Sequence, residues 1–110
     1  MLETHYVAIH APGPRWDPII PMREQAGLQD HADHYRRLLQ AGKLALGGPF
    51  IDEASGGIMV FTSSVTESEA REHAAADPAV RSGLLVCDVR PWAWVLKSTT
   101  APPRQGQVEI

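Results

Sequence analysis

Apolar positions recur along this chain first with the spacing of a strand, then with that of a helix, and the alternation happens twice. Tyr6-Val-Ala-Ile9 is a short β-prone run ended by Pro12-Gly-Pro14, and it predicts a first strand. Between 11 and 24 stand Pro12, Gly13, Pro14, Pro18 and Pro21, which predict an extended loop around Trp16. Leu28, His31, Tyr35, Leu38 and Gly42 then fall at steps of three and four, so they share one face of a helix. Asp33, Arg36, Arg37 and Gln40 lie mostly on its other face. Asp30 is placed to cap the start of that helix, and Gly42 to stop it after Ala41.

Leu44-Ala-Leu46 runs into Gly47-Gly-Pro49 and predicts a second strand. A turn-rich stretch over 52–57 separates it from Ile58-Met-Val-Phe-Thr62, so the two read as a hairpin. Ser64 with Glu67, or Thr66 with Glu69, has the spacing of a capping box and opens a second helix. Ala70, His73, Ala74 and Asp77 share a face of it, and Pro78 biases Asp77 away from helical geometry. Val86 to Leu96 predicts a last strand, irregular at Pro91.

The order βαββαβ, with short connections, predicts an α+β domain of ferredoxin-like type over 1–97: a four-stranded antiparallel sheet with two helices on one face. The residues of 98–110, with Pro102-Pro103 and a polar composition, predict an exposed C-terminal tail. Tyr6–Ile9 and Ile58–Phe61 are apolar at every position, a pattern of strands covered on both faces. Two helices cover one face only. A second copy of the chain is the simplest cover for the other, so a homodimer built through the sheet is expected.

Length and charge narrow the function. A chain of 110 residues with 44% hydrophobic residues can bury roughly 65% of its unfolded surface as one domain. Ten basic and thirteen acidic residues, a net charge of -3, leave no Lys/Arg cluster for phosphates, so nucleic acid is not expected as a partner. No stretch approaches the ~20 apolar residues of a membrane helix, and the first residues lack the apolar segment of a signal peptide. The single Cys87 has no partner for an internal disulfide and reads as a small core residue, which points to a cytoplasmic setting.

The candidate chemistry rests on two residues. His31 lies on the apolar helix face beside Tyr35 and Leu38, where it fits a core histidine with one satisfied hydrogen bond. It also fits a general base whose protonation is tuned by burial and a carboxylate. Asp77-Pro78 fits an N-cap with proline at the first helical position. It fits equally a carboxylate that stabilises His31 when protonated, and the two roles are compatible. His31 and His34 have a metal-ligand spacing but no evident third ligand, so neither a metal nor a cofactor is expected. His10 sits near the end of the first strand, either solvated or reaching a pocket mouth, and Gly47, Gly48 and Pro49 make an opening where a ligand can approach backbone. Trp92 and Trp94 share a strand face and read as core or interface.

Pro12-Gly-Pro-Arg-Trp16, His31, Gly42-Lys-Leu-Ala-Leu-Gly-Gly-Pro-Phe50, Gly56-Gly57, Asp77-Pro78 and Val89-Arg-Pro-Trp92 occur here in one order. In that combination the chain resembles the YCII-related (YciI-like) domain family over about residues 2 to 96. The resemblance implies a dimeric α/β-barrel arrangement and a His–Asp active site, which falls on His31 and Asp77. Some relatives are linked to elimination chemistry on halogenated aromatic degradation products. The function expected is therefore proton abstraction, of lyase or isomerase type, from a small cyclic or aromatic molecule. The alternative is a non-catalytic dimer that binds a small ligand or serves as an accessory subunit, with His31 and Asp77 structural.

Overall fold

A computed structural model describes residues 2–98. Four strands, β1 (Glu3–Pro12), β2 (Leu44–Pro49), β3 (Gly57–Phe61) and β4 (Leu85–Trp94), alternate with the helices α1 (Leu28–Gln40), α2 (Glu67–Ala75) and the short α3 (Pro78–Ser82). The strands form one antiparallel sheet in the order β2-β3-β1-β4, the ferredoxin-like arrangement expected from the sequence. The expected tail lies, from 99 onward, outside the described residues. Among the described residues, no helix is long and apolar enough to cross a membrane.

Register decides what each sheet face presents. Ala8 pairs with Met59 on one side and Val89 on the other, and these side chains share the helix-covered face. There Ala8, Phe61 and Val89 pack with Tyr35 of α1 and with Ala70 and Ala74 of α2. Val7 pairs with Val60 and Ile9 with Ile58 on the opposite face. Leu46, Val86 and Trp92 are about half exposed.

Two local expectations change, and one open choice is settled. Helix α1 starts at Leu28 and not after Asp30, because Gly27 takes the N-cap in a left-handed conformation (φ 93°) that few other residues adopt. Asp30 lies inside the first turn, where its charge still complements the helix dipole. Pro91 does not interrupt the last strand: the β1–β4 ladder runs unbroken from Glu3↔Trp94 to Pro12↔Leu85. β4 is an edge strand, and a proline nitrogen turned outward there removes no ladder bond. Of the two capping boxes, Thr66 with Glu69 forms, each side chain bonding the other residue's backbone N–H.

The proline-rich loop is pinned rather than free. The buried Gln25 amide donates to the carbonyls of Asp17 and Ile20 and accepts from the Asp17 N–H. Trp16, held by this loop, packs with Ala79, Leu84 and Leu85.

Candidate active site

Asp77 ends the turn after α2 and begins α3. Proline at the first position of α3 leaves Asp77 extended (φ -60°, ψ 121°), the backbone of an N-cap. Its Oδ1 accepts from the Ala79 N–H at 2.9 Å, and its Oδ2 faces His31 Nδ1 at 2.6 Å. One carboxylate thus caps a helix and accepts a hydrogen bond from an imidazole. The side chain of Asp77 is fully buried and that of His31 is 12% exposed. A carboxylate only accepts, so His31 carries a hydrogen on Nδ1 and its Nε2 is left for other partners. Among the described residues, no hydrogen bond uses that Nε2. Burial acts to raise the Asp77 pKa, but the hydrogen bond and charge of His31, with the Ala79 N–H, outweigh it and leave it below the usual carboxylate value.

His31 lines a cavity of about 250 Å³ between α1, the proline-rich loop and the β2–β3 end of the sheet. Gly48, Pro49 and His10 line it; Gly47 is set back from the wall, against Met59. His10 is neither solvated nor at a mouth: it is 3% exposed, because β1 extends to Pro12 and carries it under α1. Its Nε2 is 3.0 Å from the Tyr35 hydroxyl and 3.9 Å from Cys87 Sγ, and its ring meets His31 edge-on at 5.0 Å. Burial, then the neighbouring His31 charge, push the His10 pKa down to about 4. Burial and nearby negative charge push Tyr35 well above its ordinary value and Cys87 up to about 11, so both keep their protons at neutral pH.

His10, His31 and Asp77 each bring one ligand-type atom within 4.8 Å of the others. His31 Nδ1 and Asp77 Oδ2 are bonded to each other, and His10 Nε2 to the Tyr35 hydroxyl. His34 does not join His31: its Nε2 donates to the His73 carbonyl at 2.8 Å.

Sequence patterns did not point to Arg23, Leu28, Met59 or Leu85 as cavity residues, nor to the aromatic role of Trp16 in its wall. Gly56 and Gly57 are there for backbone reasons. A Cβ at Gly56 would stand 2.3 Å from the His10 carbonyl oxygen, and one at Gly57 would stand 2.5 Å from that of Gly48. Gly48 is different, since a Cβ there meets nothing within 4 Å. Gly48 pairs with Ile58, so a side chain there stands on the sheet face away from the helices and leaves the cavity open. Gly48→Ala is therefore expected to fold with a stability change within about 0.5 kcal/mol by denaturant titration.

A model of the YCII-related domain matches residues 4–93 of the chain. Among solved structures, the fold is similar to that of 5-chloro-2-hydroxyhydroquinone dehydrochlorinase (TftG) from Burkholderia phenoliruptrix AC1100, in complex with 2,5-dihydroxybenzoquinone. The likeness has a TM-score of 0.51 and 20% identity, over 79% of this chain and 92% of that one. At this identity it is a likeness of fold. No curated protein matches the chain.

Proposed function

The chain belongs to the family of YCII-related domains, and from that premise we propose that it is a small enzyme in which His31 and Asp77 abstract a proton from a cyclic or aromatic organic molecule. The observation that carries this reading is the 2.6 Å bond from a fully buried carboxylate to a histidine on a cavity wall. Nε2 of His31 takes a proton from a substrate carbon. The C–H electron pair then forms a double bond, and either a leaving group such as halide departs with its own pair, or the π pair of an adjacent double bond is displaced and takes the proton back at its far atom. Asp77 holds the ring and stabilises the imidazolium. His10, Gly48 and Pro49 contact the substrate, and the reaction as proposed calls on no metal or cofactor.

The test is chloride release from 5-chloro-2-hydroxyhydroquinone, with Tm measured alongside in the presence of that compound and of 2,5-dihydroxybenzoquinone. A ligand at 100 times its Kd stabilises by about 2.7 kcal/mol, several degrees for a domain of this size. Binding without turnover across halogenated and unhalogenated hydroquinones would instead support the non-catalytic reading.

The same family premise supports a homodimer packed sheet on sheet. Leu46, Val86 and Trp92 are half-exposed apolar side chains on the sheet, and Trp92 and Trp94 meet edge-on at 5.8 Å. Sedimentation at micromolar concentration is expected to give twice the 12.0 kDa of the chain. Trp92→Asp should shift it to monomer, and a monomeric wild-type protein would remove the proposal.

A further inference from the structure

We propose that His10 is the second working group of this cavity: a neutral imidazole that donates its Nδ1–H to a carbonyl or anionic oxygen of the ligand. The proposal rests on the reading of His31 and Asp77 as the proton-transfer pair. The hydrogen-bonding pattern assigns the tautomer. Tyr35 and Cys87 both keep their protons, and both lie against the same ring nitrogen, Nε2, at 3.0 and 3.9 Å. With Nε2 as the acceptor for both, the ring hydrogen resides on Nδ1, and this is the tautomer on which the proposal stands. Nδ1 is buried and, among the described residues, has no hydrogen-bond partner. A buried donor left unpaired is costly, and such groups in folded proteins are normally satisfied by protein, water or ligand.

The position suits an electrophile. Proton removal by His31 from a carbon beside a carbonyl leaves negative charge on the oxygen, and His10 meets His31 at 5.0 Å. Donors fixed in advance where charge develops lower the barrier, because they need no reorganisation during reaction. Neutrality is part of the fit, since a second cation at this distance would oppose the charging of His31. The rest of the wall defines the ligand class. Trp16, Leu28, Met59 and Leu85 offer an apolar slot, with Arg23 also on its wall. A flat ring bearing an ionisable oxygen, as in a hydroxylated quinone, meets both demands. Tyr35 touches no ligand in this scheme; it is a positioning residue that holds the His10 tautomer.

Long-range 1H–15N NMR on the ligand-free protein at pH 7 is expected to show His10 neutral with its proton on Nδ1. Adding 2,5-dihydroxybenzoquinone should move that proton's resonance. His10→Phe should weaken quinone binding roughly 10-fold or more, while His10→Asn, which keeps an N–H near the Nδ1 position, should stay within about 3-fold of wild type. Tyr35→Phe should leave the fold intact but mix the two His10 tautomers. An Nε2–H tautomer in the free protein, or equal binding by wild type and His10→Phe, overturns the proposal. Failure of wild type to bind the quinone at all overturns the ligand class. The His31–Asp77 reading fails separately, if chloride release persists when His31 is replaced.

Discussion

His31→Asn is expected to lower turnover roughly 10²- to 10⁴-fold, the usual worth of a positioned general base, with a folded protein left behind. The amide nitrogen of asparagine stands near the position of the imidazole Nδ1, so Asp77 keeps a donor. His31→Ala is the less clean variant. It strips a fully buried carboxylate of its partner, and breaking a buried pair from one side costs about 3–5 kcal/mol when water stays out. Here His31 lines the cavity, so water can enter its place and the loss should fall below that range. Turnover measured beside a denaturant titration separates the two effects. Unchanged turnover in a stable His31→Asn protein would sink the base.

Asp77→Asn asks a sharper question of the same pair. Asparagine caps a helix about as well as aspartate, so the bond to the Ala79 N–H survives with little change in stability. What changes is the face toward His31. The amide donates where the carboxylate accepted, and this forces the His31 hydrogen from Nδ1 to Nε2. The nitrogen that should take the substrate proton is then already protonated. A loss of turnover close to that of His31→Asn is expected, and full activity would make Asp77 a cap alone.

The parts of this site that could be read from sequence are those with local causes. Pro78 after Asp77, and the three- and four-residue spacing around His31, each fix a backbone conformation or a face. The fold topology follows from element order and short connections. His10 was harder to read, because its environment comes from partners far away in the chain: Tyr35 on α1, Gly57 on β3 and Cys87 on β4. A histidine at the end of an apolar run looks solvated until the strand is seen to continue to Pro12. The cavity wall from the proline-rich loop was hidden for a similar reason. Its shape depends on the three hydrogen bonds of Gln25, a residue with no periodic signal of its own. The start of α1 was misplaced because a left-handed glycine replaced the side-chain cap that Asp30 offered.

Stability should fall as pH is lowered from 6.5 to 4, and His10 should be the main cause. In the folded protein its pKa is depressed to about 4, against 6.5 for the free side chain. Between those values the unfolded chain binds a proton that the folded chain does not, so stability rises with pH across the window. At about 1.4 kcal/mol for each pH unit, the whole interval is worth about 3 kcal/mol. The groups facing His10 are His31, His34, Tyr35 and Asp77 from the helical layer and Cys87 from β4. Of these, Asp77 works against the depression and the two histidines with it. Asp77 adds a second, lower window. Its folded pKa lies below 3.8, so its contribution is fully present above that value and is lost as pH falls through the depressed one. The variant that isolates His10 is the pair His10→Phe with Tyr35→Phe, because removing both partners leaves no buried hydroxyl unmatched. Denaturant titrations from pH 7 to 2.5 should show a flattened pH dependence in the double variant above pH 4, with the fall below pH 4 retained. An unchanged slope between 6.5 and 4 would mean that His10 charges freely in the folded protein, and with that its role as a neutral donor would also be lost.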